Sequence, residues 1–309
     1  MGVTKSPVLL IADAGGEIGF GHLMRCRELA LQIERLTRRE TVLLVDDAEA
    51  FARVQSVGLR AEWGALERAM RPPPVGLNTV DAQLLASQCA YIVLDIFGKR
   101  GLEPNWRDRL GRPAVVLDRA DAWAGEAELV VIPGVTFPPE WMLPRNIEGT
   151  NTPIHGGSEF VILREEIRRA PVSTKKRDID VLAYLYDDSQ REALRKFGLQ
   201  SDLNVRILET PAEDFPDLLS RAKLFLSGFG ITFYEALHCG TRPVAWPHSD
   251  QHALDASRFF QALGLESALL SNSTELDLLI DLLNCDSPVL PTITDGTPRI
   301  VELLERTLV

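Results

Sequence analysis

The sequence is poor in cysteine and histidine and contains no long uninterrupted apolar run. The four cysteines lie far apart without CxxC spacing, so we interpret them as free thiols in a reducing compartment and expect a cytoplasmic protein: Cys26, Cys89, Cys239 and Cys285. The five histidines form neither an HExxH nor a His-x-His pattern, so we predict no metal site. No segment is long enough to predict a membrane span, and the early run "PVLLIADA" ends in an aspartate, unlike a secretory signal.

Basic residues are outnumbered as well. The chain has 33 Lys and Arg against 44 Asp and Glu, a formal net charge of -11. A surface of that sign repels nucleic acids and anionic membranes, so neither is expected as the main partner. A small anionic ligand needs only a local positive site. The composition, 45% hydrophobic and 25% charged, is typical of a soluble enzyme, and 309 residues predict two domains.

Short apolar runs alternate with amphipathic segments along the chain. The runs that predict strands are 7–14, 41–47, 91–96, 114–119 and 128–133, then 179–185, 204–210, 224–228 and 242–247. This alternation predicts an α/β protein with parallel sheets covered by helices on both faces. We expect two Rossmann-like domains facing a cleft, with an N-terminal domain over 1–150, an interdomain region over 151–178 and a C-terminal domain over 179–309.

Two further segments carry predictions about this organisation. The last helix, "PRIVELLERTL", is amphipathic, and we expect it to pack back on the first domain. The basic run "KKR", which ends at Arg177, is most simply a solvated linker.

A glycine cluster, "GGEIGFGHLMRC", follows the first predicted strand and precedes a helix whose apolar residues share one face: Leu23, Cys26, Leu29, Ala30 and Ile33. Such a turn lies at the carboxyl end of a strand, where open α/β sheets bind ligands. Met24 stands where a dinucleotide fingerprint needs its third glycine, and no G-K-[ST] follows, so neither of those nucleotide motifs is present. From these residues alone, a packing turn in which His22 caps the helix is as good an interpretation as a site.

Four segments occur in the order of one known family: "GFGHLMRC", "EFVILREE", "SGFGITFYEALHCGTRPV" and "SDQHALDASRF". The chain resembles the UDP-sugar hydrolases of pseudaminic acid biosynthesis and the related spore-coat polysaccharide biosynthesis proteins, which are predicted glycosyltransferases. The resemblance implies the GT-B fold, in which two Rossmann-like domains hold a nucleotide sugar.

The chain departs from the family at three places. "VLAYLYDDSQ" replaces a strand that runs into G-G-x-D-P, and it lacks the glycines that would offer backbone N–H groups to a diphosphate. Ile11 occupies the position at which many of the hydrolases have an arginine on the first strand. Asp13 matches the aspartate that those hydrolases have two residues after that arginine. Asp250 and Gln251 replace an Asn-Gln pair.

The resemblance and the chemistry of sugar–phosphate cleavage together indicate the site residues of the first domain. His22 begins a helix, where the dipole disfavours imidazolium, so it is the candidate general base. Asp13 is assigned as catalytic with it, and Gly19, Gly21 and Arg25 as substrate-binding, although a structural salt bridge for Arg25 is slightly favoured. Two further aspartates end candidate strands of this domain: Asp95 and Asp118.

In the second domain the resemblance assigns the nucleotide to the residues that open a helix: Gly228, Gly230, Ile231 and Thr232. It assigns Glu235 to the ribose hydroxyls, whereas the sequence alone favours a glutamate that merely complements the helix dipole. Asp250 and Gln251 are candidates to face the sugar or diphosphate.

Three functions follow as alternatives. The first is hydrolysis of a UDP-sugar by water, for a surface or flagellar sugar of the pseudaminic acid type. The second keeps the site but moves the sugar to a polysaccharide acceptor. The third is a nucleotide-sugar-binding protein without catalysis, because the second-domain glycines are missing. None of these requires a cofactor, and the expected partner is the UDP-sugar.

Overall fold

The computed structural model describes residues 5–15, 20–66, 71–96, 105–134, 146–169, 177–209, 214–265, 268–285 and 289–309. The chain divides into two compact units. The first contains the described residues up to 133, the segment 146–162 and the C-terminal segment Asp295–Val309. The second contains Gly134 and the described part of Leu163–Thr294. The limits of these units differ from residues 150 and 178, and the chain also returns to the first unit at its end.

Parallel strands form the sheet of the first unit. Among its described residues these are β1 (Val8–Ala12), β2 (Thr41–Val45), β3 (Arg60–Trp63), β4 (Ile92–Asp95), β5 (Ala114–Leu117), β6 (Leu129–Ile132) and β7 (Ile154–Gly156). Their order across the sheet is β3-β2-β1-β4-β5-β6-β7. Strands β1, β2, β4, β5 and β6 are buried along their whole length. Continuous apolar runs of this kind are expected where helices cover both faces of a parallel sheet.

The helices of this unit begin where the sequence supplies caps and apolar faces. They are α1 (Gly21–Thr37), α2 (Ala48–Gln55), α3 (Ala82–Ser87) and α4 (Trp106–Leu110). The carboxylate of Asp47 accepts two backbone N–H groups at the start of α2, and Asp81 does the same for α3. The predicted apolar face of α1, from Leu23 to Ile33, is completely buried, as expected.

The C-terminal helix belongs to the core of the first unit. Its residues Ile300 and Leu304 are fully buried in the same cluster as Leu23 and Ile33 of α1. The expectation that the last helix packs on the first domain is therefore confirmed.

The second unit repeats the same plan on a smaller scale. In chain order, its first described helices and strands are α5 (Glu165–Arg169), β8 (Ile179–Tyr184), α6 (Asp188–Ser201), β9 (Val205–Leu208), α7 (Phe215–Arg221) and β10 (Ala222–Ser227). Those that follow are α8 (Ile231–His238), β11 (Arg242–Ala245), α9 (Asp250–Ala262) and α10 (Asp277–Asn284). The C-terminal helix of the first unit is α11 (Thr297–Leu308). The four strands are parallel in the order β11-β10-β8-β9. The two parallel sheets confirm the predicted α/β class with two Rossmann-like units.

Some elements differ from the sequence-based expectations. Strands β3 and β7 were not predicted: β3 lies at a sheet edge with Arg60 exposed, and β7 is three residues long, so neither has an apolar run. Arg177 is not part of a solvated linker as predicted, because it is half-buried and donates to the backbone carbonyls of Cys239 and Gly240. Among the described residues, no helix is long and apolar enough to cross a bilayer.

Candidate functional site

The strand order of the first sheet reverses between β1 and β4. The chain runs from β1 to β2 on one side and returns to β4 on the other, so the loops that follow β1 and β4 diverge at their carboxyl ends. A crevice at such a reversal is where open α/β sheets bind ligands. Asp95 is the last residue of β4 and lies beside Ala12 of β1. His22 is the second residue of α1.

His22 and Asp95 meet at this crevice, with Arg25 beside them. The Nδ1 atom of His22 lies 2.5 Å from Oδ1 of Asp95. Arg25 binds the same carboxylate with two nitrogens, since Nε lies 2.9 Å from Oδ2 and Nη2 lies 2.8 Å from Oδ1. The Asp95 side chain is fully buried, whereas 16% of the side-chain area of both His22 and Arg25 is exposed. The carboxylate therefore holds both residues from inside the protein.

This geometry determines where the imidazole carries its proton. If Nδ1 of His22 were unprotonated, its lone pair would face the Asp95 oxygen at 2.5 Å, which is repulsive. A proton on Nδ1 gives instead a short charge-assisted hydrogen bond to the carboxylate. Nη2 of Arg25, 2.9 Å from the same Nδ1, then donates to Oδ1 of Asp95. In the neutral ring, the lone pair consequently lies on Nε2.

The charges around Arg25 balance one another. Its Nη1 donates to Oδ2 of Asp118 at 2.6 Å, so one guanidinium joins two carboxylates. Burial alone would lower the pKa of Arg25, but Asp118 and Asp95 outweigh burial and raise it. Burial alone would raise the pKa of Asp95, but Arg25 and His22 lower it to about 2. Asp95 is therefore ionised at neutral pH, and the ion pair expected for Arg25 is present.

The other residues assigned to this domain lie close to the same turn. Asp13 is mostly buried after β1, and its backbone N–H donates to the carbonyl of Asp95. Nδ1 of His22 contacts the side chains of Asp95 and Arg25. Gly21 opens α1, and Gly19 lies outside the described residues. Gly15 has φ +79°, and a Cβ there would lie 2.2 Å from Oδ2 of Asp47, so this turn requires glycine.

The second sheet has an equivalent reversal between β8 and β10. Tyr184, the last residue of β8, lies beside Ser227, the last residue of β10. The turn after β10 contains Gly228, Phe229 and Gly230 and leads into α8. Phe229 has φ +152°, a backbone conformation that is unfavourable for a residue with a side chain, and its ring packs edge-on against Phe233 of α8.

Aromatic side chains lie at this reversal. The ring of Tyr186 lies 6.0 Å from that of His248, and more than half of Tyr186 is exposed. The rings of His248 and His252 are 4.3 Å apart, and a Cβ on Gly228 would lie 3.1 Å from Nδ1 of His248. Burial, and then the neighbouring His248, lower the pKa of His252. This reversal point therefore presents aromatic rings and imidazole nitrogens close to Gly228.

Glu235 is not at this surface. It is the fifth residue of α8, fully buried, and both of its carboxylate oxygens accept from Arg164, from Nε at 2.6 Å and Nη2 at 2.7 Å. The guanidinium of Arg164 also lies over the ring of Phe215. This arrangement supports a structural role for Glu235, the alternative to its assignment to a ribose.

The remaining residues assigned to the second domain lie at helix starts. Ile231 and Thr232 form the first turn of α8 and are half-buried, and Gly230 before them has φ +150°. Asp250 and Gln251 are exposed in the first turn of α9, where the Gln251 side chain donates to Asp255. Within the described parts of the chain, no three His, Cys, Asp or Glu side chains are grouped as metal ligands.

Sequence reasoning left the pairing of these residues open. Asp95 was recognised as a strand-end aspartate, but it lies 73 residues from His22 in the chain, and their contact depends on the order of the strands in the sheet. Arg164 belongs to the segment "EFVILREE" that carried part of the resemblance, yet no local pattern links it to Glu235. Tyr186 was seen only as part of a segment that lacks glycine. The signal that could have indicated it is an aromatic residue directly after a predicted strand.

Solved structures share this fold across almost the whole chain. The glycotransferase of kitacinnamycin matches with a TM-score of 0.62 and 15% identity, covering 99% of this chain and 100% of its own. A UDP-GlcNAc 2-epimerase from Methanocaldococcus jannaschii matches with a TM-score of 0.57 and 11% identity, covering 97% and 99%. The spinosyn rhamnosyltransferase SpnG, complexed with spinosyn aglycone, matches with a TM-score of 0.56 and 13% identity, covering 98% and 96%.

These likenesses establish the GT-B fold that the sequence resemblance implied. No protein-family model matches the chain, and no curated protein matches it in sequence. The more specific resemblance to pseudaminic acid hydrolases has no support beyond the fold.

Proposed function

We propose that this protein is an enzyme that cleaves a UDP-sugar at the bond between C1 of the sugar and the diphosphate oxygen, with His22 as the general base. The observation that carries the proposal is the contact between Nδ1 of His22 and the buried, ionised Asp95. A carboxylate in that position fixes the ring and stabilises the imidazolium that forms when Nε2 takes a proton. The shared fold with enzymes whose names include a UDP-sugar supports the substrate class.

The reaction balances as a hydrolysis. The oxygen of a water molecule forms a bond to C1 while the bond from C1 to the diphosphate oxygen breaks, and its electron pair leaves with UDP. Nε2 of His22 accepts a proton from the water. Asp95 keeps its negative charge and holds the resulting imidazolium through Nδ1–H.

We assign nucleotide binding to the reversal point of the second sheet. The backbone N–H groups at the start of α8, after Gly230, suit a phosphate, and the exposed ring of Tyr186 offers a face on which a uracil can stack. The imidazoles of His248 and His252 can donate to phosphate oxygens, and His248 lies beside Gly228 in the turn after β10. These side chains support nucleotide binding at this turn although the glycines after β8 are missing. The contact between His22 and Asp95 is the reason that we favour an enzyme over a protein that only binds nucleotide sugars.

The acceptor is the remaining alternative within this proposal. An Asp–His pair can remove a proton from a sugar hydroxyl as well as from water, and glycosyltransferases share the fold. The segment that contains His22 resembles sugar-nucleotide hydrolases and predicted glycosyltransferases alike, so we propose water as the acceptor and leave the choice between the two to experiment. A glycosyltransferase in surface-polysaccharide synthesis is the second candidate.

The test is incubation with a panel of UDP-sugars in ¹⁸O-labelled water without an acceptor. Mass spectrometry then follows free sugar and free UDP. Hydrolysis at C1 places one ¹⁸O in the sugar and none in UDP. Label in UDP would show attack at phosphorus and contradict the proposed step.

Two controls separate the candidate functions. His22→Gln should abolish sugar release while the mixture is otherwise identical. Cleavage that occurs only when an oligosaccharide is added would favour the glycosyltransferase. Binding of UDP with no cleavage under either condition would leave the non-catalytic alternative.

A further inference from the structure

A cavity lies at the amino ends of strands of the second sheet, whereas the reversal point is at the carboxyl ends. It has a volume of about 310 Å³, within the range of small-molecule sites. Three basic residues line it, and each lies at the amino end of a strand: Arg177 precedes β8, Lys223 is the second residue of β10 and Arg242 is the first of β11. Ligands of the proposed reaction belong at the carboxyl ends. This cavity is therefore separate from the proposed nucleotide site.

Arg177 has hydrogen-bond partners in the described structure but no carboxylate among them. Its Nη2 donates to the carbonyls of Cys239 at 3.0 Å and Gly240 at 2.7 Å, and Nη1 donates to Oγ1 of Thr241 at 2.8 Å and to the carbonyl of Ala222. Half-burial lowers the pKa of Arg177. Neutral acceptors satisfy its N–H groups but leave its charge uncompensated.

The other two cations add to this positive charge. Lys223 has one carboxylate partner, with Nζ 2.7 Å from Oδ1 of Asp180. Arg242 is half-buried and forms no ion pair with any described residue. Three cations thus share one carboxylate, in a chain whose net charge is -11. The cavity is a local positive site of the kind that binds a small anion.

The remaining side chains that line the cavity are apolar. They include Leu282 and Leu283 of α10 and Leu290, which follows it in the chain. Leu283 and Leu290 are only half-buried, so an apolar group placed against them would cover additional surface. A ligand that matches both the basic and the apolar side chains of the lining has a charged head and an apolar portion.

We propose that this cavity binds a small soluble anionic amphiphile, a phosphate or carboxylate joined to an apolar chain or ring. The anionic head lies between Arg177 and Arg242, and the apolar portion lies against Leu282, Leu283 and Leu290. The site is independent of the proposed reaction and does not require that reaction to be correct.

The test is calorimetric titration of the full chain with n-octyl phosphate below its micelle concentration. Arg242→Gln should weaken binding by a factor of about 10 to 100, the worth of one hydrogen bond to a charged group. Arg242→Lys, which keeps the charge, should recover part of the affinity. The matched control is Arg258→Gln on α9, which removes the same charge from an exposed position of the same unit and should leave affinity within about twofold. Arg177 is left intact, because its bonds to backbone carbonyls hold the local fold.

Three ligand comparisons decide the chemistry. Inorganic phosphate and n-octyl glucoside should each bind at least about tenfold more weakly than n-octyl phosphate. Phosphate lacks the apolar chain, and n-octyl glucoside lacks the anionic head. Equal binding by either of them, or equal binding by the Arg242→Gln variant, would overturn the proposal. Co-sedimentation with phosphatidylglycerol vesicles that depends on Arg242 would overturn its assignment to a soluble ligand.

Discussion

Arg164 donates to both carboxylate oxygens of Glu235, 71 residues later in the chain, at 2.6 and 2.7 Å. Glu235 has no exposed surface, and the guanidinium covers the ring of Phe215. A buried pair of this kind is costly to break from one side only, because the remaining charge stays buried without a partner. The pair therefore ties the start of the second unit to helix α8, which also carries the proposed nucleotide-binding turn.

Glu235→Ala should lower the free energy of unfolding by about 3 kcal/mol or more. Urea unfolding of the variant gives this value directly. The double variant Arg164→Met with Glu235→Leu should recover much of the loss, since neither charge then remains buried. If Glu235→Ala were as stable as the wild type but lost its affinity for UDP, Glu235 would be a ribose ligand instead.

Asp95→Asn should lower the turnover of the proposed reaction by a factor on the order of 10³ to 10⁴. Asp95 accepts hydrogen bonds through both oxygens, from His22 and from Arg25. In asparagine one of these atoms becomes a donor, which either opposes Arg25 or moves the ring proton of His22 to Nε2, where it blocks the base. Single-turnover rates measure the effect.

Asp118→Asn supplies the comparison for that variant. Asp118 contacts Arg25 but is not a partner of His22 in this network, and about a third of its side chain is exposed. We expect a fall in rate of less than about tenfold, as for the loss of one partly exposed ion pair. Equal effects of the two substitutions would mean that Asp95 acts only by holding Arg25.

Local sequence was sufficient for much of the fold but not for the contacts within the site. Strands β1, β4 and β10 were predictable because central strands of a parallel sheet are continuous apolar runs. Strand β3 was not, because an edge strand keeps polar residues such as Glu62. His22 was predicted as a candidate because glycines precede it and a helix follows. Its contact with Asp95 arises from the order in which strands assemble, which no local pattern encodes.

The first unit should lose stability in acid through Asp95. Its pKa is lowered from 3.8 to about 2 in the folded protein, so its contribution is complete above about pH 4 and is lost as the pH falls through about 2. The shift corresponds to about 2 kcal/mol for this buried group. Urea unfolding at pH 5, 4 and 3 should show a steeper loss for the wild type than for Asp95→Asn. Parallel curves for the two proteins would contradict this assignment.

Tyr186→Ala should weaken UDP binding by roughly tenfold, since stacking of a base on an aromatic ring contributes about 1–3 kcal/mol. UDP should raise the melting temperature of the wild type more than ADP or NAD does, because a ligand bound only by the folded state stabilises it. Thermal scans with each nucleotide measure both effects. Leu199→Ala is the control, because Leu199 is exposed on α6 of the same unit. If UDP raised the melting temperature of Tyr186→Ala as much as that of the wild type, the uracil would bind elsewhere.

His22→Ala should lower kcat by a factor on the order of 10² to 10⁴, the usual contribution of a positioned general base. His22→Gln should be no more active, because an amide cannot take the proton that Nε2 receives. His155→Gln is the matched control, since His155 lies on β7 of the same unit and not at the end of β4.

The affinity for UDP should barely change in any of these histidine variants, because the nucleotide is assigned to the second unit. Single-turnover rates and UDP titrations on the same preparations test both statements together. Normal turnover by His22→Ala would mean that the glycine turn before α1 has only a structural role. Loss of UDP binding with unchanged stability would instead move the nucleotide to the first unit and reverse the roles proposed for the two halves of the chain.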